Sequence, residues 1–129
     1  MSSGNTVNPQ TRSVQMDTDL SAKTNYLATL DATDENIVNL AAAATAPVFV
    51  ITEGKDGSST VATGSICIGG ETKVICGGTV TAGDRLTSDG SGKAVATVTD
   101  HQFYGLIALE NGVSNDVIRA LFVQGQVSA

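Results

Sequence analysis

Apolar and polar residues alternate along this chain in short runs, and the runs are separated by Gly, Asp, Asn and Ser. Residues 26–30 alternate, "PVFVIT" at 47–52 is continuously apolar, and "STVATGSICI" at 59–68 and "TKVIC" at 72–76 are expected to form a hairpin around Gly69 and Gly70. Further runs are "DRLTSD" at 84–89, "KAVATVT" at 93–99, "FYGLIALE" at 103–110 and "DVIRALFVQ" at 116–124. "ENIVNLA" at 35–41 reads as one more strand or a single helical turn. The "AAAATA" run at 41–46 favours helix but is too short to hold one, and Pro47 ends it. Eight or nine short strands at a spacing of about 8–12 residues predict an all-β barrel or sandwich.

Residues 1–25 break the pattern. They are mostly Ser, Thr, Asn, Gln and Asp, with no aromatic and no sustained apolar period, which predicts an extended or disordered arm ahead of a β domain at 26–129. The few apolar side chains there, among them Val14, Met16 and Leu20, are candidate anchors on a partner surface.

Two corners stand out within "GGTVTAGDRLTSDGSGKAV" at 77–95. Gly83 can take a positive φ, Asp84 can bond its own turn, and Val80 and Leu86 then face inward on either side. Asp89, Gly90, Ser91 and Gly92 repeat the device before Lys93 starts a new strand. As a phosphate cradle the stretch fails, because it lacks GxxxxGK[ST] and leads into no helix that would hold an anion at its N-terminus.

Composition narrows the chemistry. Hydrophobic residues make up 41% of 129, chiefly Ala, Val, Ile and Leu, which suits sheets. Thirteen acidic residues against seven scattered basic ones give a net charge of −6, which disfavours nucleic acid as a partner. No apolar run approaches the length of a membrane span and no leader-type start is visible, so a soluble, non-secreted chain is expected. His101 lies beside Asp100 in a turn without metal partners, and no catalytic, cofactor or metal site is expected. Were "SICIGGETKVIC" a hairpin, Cys67 would face Val74, with Cys76 its diagonal neighbour at roughly 7–8 Å; that favours two buried free thiols over a bridge.

In order, "GGTVTAGDRLTSDGSGKAVA" and "YGLIALENGVSNDVIRALFVQG" resemble the capsid decoration (cement) proteins of tailed bacteriophages. Gly78, Val80, Gly83, Asp84, Leu86, Thr87, Gly92, Lys93 and Ala94 carry the first block; Gly105, Ala108, Leu109, Glu110, Asp116 and Ile118 carry the second. The likeness spans roughly residues 26–124, including "TDENIVNLAAAATAPVFVITEG" at 33–54, while Ile107 is an extra residue within the second block. The resemblance implies a structural virion protein, made in the host bacterial cytoplasm. It would bind the exterior of the expanded head and clip neighbouring major capsid protein subunits, as a homotrimer in preference to a homodimer. Within it, Val14, Met16, Leu20, Phe103, Tyr104 and Glu110 are the expected capsid or subunit contacts, and Gly83, Asp84 and Gly92 the structural corners. Phe103 and Tyr104 adjoin, so one ring should face inward and the other outward.

Two other classes share a Gly-Asp barrel corner. A biotinyl or lipoyl carrier needs a modified Lys at a hairpin tip between Met- or Asp-type neighbours, whereas Lys93 stands in "GSGKAV". A serine–lysine peptidase would pair Ser58 or Ser59 with Lys93, yet such a Lys must be buried to lose its proton, and Lys93 follows a flexible Ser-Gly turn.

Overall fold

A computed structural model describes residues 10–31, 36–42, 49–98 and 102–127. Ten strands form two antiparallel sheets of five, and the all-β class expected from the alternation is what the chain adopts. The first sheet holds β1 (Gln10–Met16), β2 (Leu27–Leu30), β3 (Val38–Leu40), β4 (Phe49–Glu53) and β5 (Ala62–Gly69), in the order β1-β5-β4-β2-β3. The second holds β6 (Glu71–Ile75), β7 (Arg85–Ser88), β8 (Ala94–Ala96), β9 (Phe103–Ala108) and β10 (Val117–Gln126), in the order β6-β10-β9-β7-β8.

Each sheet curls until its outer strands meet. In the first, Gln15 N–H donates to Asn36 O at 2.8 Å, and Gln15 bridges Ile37 in parallel, which brings β1 against β3. In the second, Gly77 N–H donates to Ala94 O at 2.8 Å and Cys76 bridges Ala94, which joins the end of β6 to β8. Curling in this way limits the open edge of each sheet, where unpaired backbone groups would otherwise face solvent.

Residues 10–25 belong to the β domain and form no separate arm. β1 pairs with β5 in register from Thr11 opposite Cys67 to Met16 opposite Ala62. Val14, Met16 and Leu20 are buried with Ala28, Val38, Ile51 and Ile66 in a core enclosed by the first sheet. Met16 lies across Gly64, where a side chain would meet its Cε at 2.6 Å and the Glu53 carbonyl at 2.4 Å. Burial of these aliphatic groups outweighs the polar character of their neighbours. Residues 1–9, the rest of the expected arm, lie outside the described residues, as do His101, 43–46 of the alanine-rich run and, after it, Pro47 and Val48.

Strands β4 and β5 are buried on both faces. Ile51 and Ile66 point into the first core, while Val50 and Cys67 join Leu27 in a second one, built with Val74, Cys76, Leu86, Leu106, Ile118 and Ala120 of the second sheet. Double burial is why Phe49, Val50 and Ile51 are apolar in succession where a half-exposed strand would alternate.

The expected hairpin at Gly69-Gly70 does not form. Gly70, at φ 79°, turns the chain out of the first sheet, and β6 pairs with β10 instead, placing Val74 opposite Ile118 and Lys73 opposite Arg119. That exchange gives β6 a long apolar partner and sends Val74 and Cys76 into the core between the sheets. The diagonal cysteine spacing therefore does not apply, although both thiols are buried and free. Burial pushes the Cys76 thiol above its ordinary pKa, and the nearby Asp116 carboxylate adds to the effect.

Candidate functional site

The two corners form as their residues dictate. Thr81 O accepts from Asp84 N–H at 2.9 Å, and the Asp84 carboxylate accepts in return from Thr81 N–H at 2.9 Å, with Gly83 at φ 93° between them. Val80 and Leu86 point inward on either side as expected. In the second corner, Asp89 Oδ1 accepts from Ser91 N–H at 2.8 Å and Lys93 N–H at 2.9 Å, with Gly92 at φ 80°.

A third corner copies the first. Val113 O accepts from Asp116 N–H and Asp116 Oδ2 from Val113 N–H, both at 2.9 Å, and Asn115 takes the positive φ of 72°. The two copies are laced together by reciprocal bonds between Val80 and Gly112 and by Ala82 N–H donating to Asn111 Oδ1 at 2.8 Å. Its signal in the sequence is the shared order of Gly or Asn, then Asp, any residue, then Leu or Ile, at 83–86 and 115–118. These carboxylates are engaged in closing turns, and among the described residues no three His, Cys, Asp or Glu side chains gather to hold a metal ion.

The expected contact residues scatter. Val14 and Met16 have no exposed surface and Leu20 almost none, so they cannot anchor the chain on a partner; the first core holds them instead. Phe103 is 52% exposed, whereas Tyr104 is half-buried, its ring lying over Gly125 with the Arg85 guanidinium 5.5 Å from the centroid. Glu110 stays partly exposed but serves its own chain, accepting from Arg119 N–H at 2.8 Å and facing Arg119 Nε at 3.4 Å. The Arg119 backbone bond, helped by the guanidinium, holds the Glu110 carboxyl below the usual carboxylate range.

What the sequence reading missed is a surface. Across the outward face of the second sheet, Val117 and Leu121 on β10 are exposed, with Arg119 between them. β6 sets Ile75 beside Val117 and Glu71 beside Leu121, and β9 sets Ile107 beside Leu121 and next to Arg85 of β7. Lys73, Glu110, Val117 and Arg119 line a shallow depression on it. The alternation of β10 carried a signal for this face, since Val117 and Leu121 sit at outward positions where polar residues are the norm.

Lys93, the lysine of both alternative readings, is held by side chains around the second corner. Its Nζ donates to Asn115 Oδ1 at 2.7 Å and lies 6.0 Å from the Tyr26 ring centroid, which Lys23 also approaches at 4.8 Å. Ser58 is engaged in the loop between β4 and β5, where its hydroxyl and N–H both donate to Asp56 Oδ1, at 2.6 and 3.0 Å. Those bonds hold the Asp56 carboxyl below its ordinary range. No helix among the described residues is long and apolar enough to cross a membrane.

The two curled sheets define an architecture that is shared with a phage structural domain. No protein-family model matches this sequence, and no curated protein matches it. Among solved structures, the N base of the head fiber gp8.5 in bacteriophage phi29 has the same fold, with a TM-score of 0.72 over 94% of this chain and 99% of that one. The two are 17% identical, so the likeness is one of fold.

Proposed function

We propose that this chain is a structural protein of a phage head, a decoration protein that binds the exterior of the expanded icosahedral capsid. The observation that carries the reading is the end-to-end match of fold to a phage head fiber base. The ordered blocks at 77–96 and 104–125, which resemble phage cement proteins, support it independently. In this role the protein joins neighbouring major capsid subunits and works as a homo-oligomer, a trimer in preference to a dimer. It performs no catalysis: a protein that binds the expanded lattice and not its precursor stabilises that lattice by mass action alone. Several weak contacts made by one oligomer then add through effective concentration.

Expanded, undecorated heads of the source phage, mixed with the purified protein and pelleted across a concentration series, test the proposal. Saturable co-sedimentation at a fixed ratio to coat subunits is expected. A folded protein that stays in the supernatant at every concentration overturns it.

A further inference from the structure

The charges of this protein are unevenly placed. The outward face of the second sheet carries Lys73, Arg85 and Arg119 against Glu71 and Glu110, three of the seven cations but two of the thirteen carboxylates. That face is therefore at net +1 in a molecule of −6, leaving −7 to all other residues. It also exposes Val117 and Leu121.

The complementary surface lies on the other sheet. The segment after β1 runs beside the segment after β4: Leu20 N–H donates to Lys55 O, Gly57 N–H donates to Thr18 O, and Asp19 bridges Asp56. Asp17, Asp19, Glu53 and Asp56 are all exposed on this rim, where Lys55 faces Glu53 at 3.5 Å. Asp19 and Asp56 are fixed by matching turns, each accepting from the N–H and hydroxyl of a serine two residues on. Val61, 51% exposed, follows the same loop and offers an apolar counterpart.

We infer that the outward face of the second sheet, through Lys73, Arg85 and Leu121, docks on the acidic rim of a second copy of this chain. The contact is heterologous, since two different patches meet, and it propagates from copy to copy into a ring where the rotation closes. Attraction between the patches offsets the repulsion that two −6 molecules otherwise feel, so association weakens as salt rises. The inference deepens the homo-oligomer of the proposed function and rests on it; its test needs no heads, so the two fail separately.

The test is a charge swap on the full chain, read by sedimentation equilibrium at low and high salt. Wild type is expected to self-associate at about 50 mM salt and to loosen at about 500 mM. Lys73→Glu with Arg85→Glu, and separately Asp17→Lys with Glu53→Lys, are each expected to weaken association about tenfold or more. None of these four side chains closes a turn, and the combined variant should recover to within a few-fold of wild type. In parallel, a zero-length carbodiimide that joins amines to carboxylates should link Lys73 of one copy to Glu53 or Asp19 of another, read by mass spectrometry. A monomeric wild type, a combined variant no stronger than its parents, or cross-linked dimers lacking the Lys73 peptide would each overturn the inference. A monomer that still decorates heads sinks this interface and leaves the decoration role standing.

Discussion

Replacing Met16 by Ala tests whether the polar N-terminal stretch is part of the fold. Met16 has no exposed surface; it contacts Gly64 of β5, and its sulfur accepts a bond from Lys55 N–H at 3.3 Å. Truncation removes the transfer energy of three heavy atoms and leaves a cavity between β1 and β5, because the neighbouring strands are held by their ladders and can close it only partly. Substitutions of this kind cost about 2–5 kcal/mol, out of a total of about 5–15 kcal/mol for a domain. With a urea m-value of about 2 kcal/mol/M, a loss of about 3 kcal/mol lowers the midpoint by about 1.5 M. The assay is equilibrium urea unfolding followed by far-ultraviolet circular dichroism, with Val98→Ala as the exposed control, expected within about 0.5 kcal/mol of wild type. A Met16→Ala midpoint equal to that of the control would show that residues 10–16 do not contribute a core strand, and the description of the first sheet would be wrong.

Two glycines separate steric from conformational cost. A Cβ at Gly57 would sit 1.8 Å from the Met16 carbonyl, so Gly57→Ala should cost about 4 kcal/mol or more, read as a collapse of the thermal midpoint. At Gly83 the same atom meets open space and only the φ of 93° opposes it, so Gly83→Ala should cost about 1–2 kcal/mol; equal losses at both sites would refute the distinction. Glu110 makes stability depend on acid: its carboxyl titrates lower folded than unfolded, so its contribution is full above the unfolded value near about 4.3 and is lost as pH falls through the folded one. Glu110→Gln should therefore flatten the fall of the thermal midpoint below about pH 5, and an unchanged slope would remove the role given to the Arg119 bond.

The local chemistry of this fold was legible because it is written in adjacent residues. Gly83-Asp84 announces a positive φ followed by a side chain that closes the turn, and both form as read. The apolar strands at 49–53, 103–108 and 117–126 were equally visible in their runs. β1 was not, because "QTRSVQM" offers only Val14 and Met16 as evidence of a period of two, and its partner lies about fifty residues further on. At Gly69-Gly70, two glycines read as a hairpin when they are the point of departure for the other sheet; which strand wins β6 depends on the apolar side chains of β10, far along the chain. The exposed face was hidden for the same reason, since exposure of Val117 and Leu121 is decided by which strands flank them and not by their neighbours in sequence.

The pairing of β1 with β5 also sets a schedule. Val14 lies opposite Gly64, so the side chains that build the first core are synthesised well before the strand that covers them. At about 5–20 residues per second, a ribosome needs about 2.5–10 seconds to add the intervening fifty residues. Through that interval the nascent chain carries Val14, Met16 and Leu20 without their cover, and the flanking Gln, Thr, Arg, Ser and Asp residues keep the stretch around them polar. The polar character that makes the segment look like a loose tail is thus suited to the wait imposed by its own late partner.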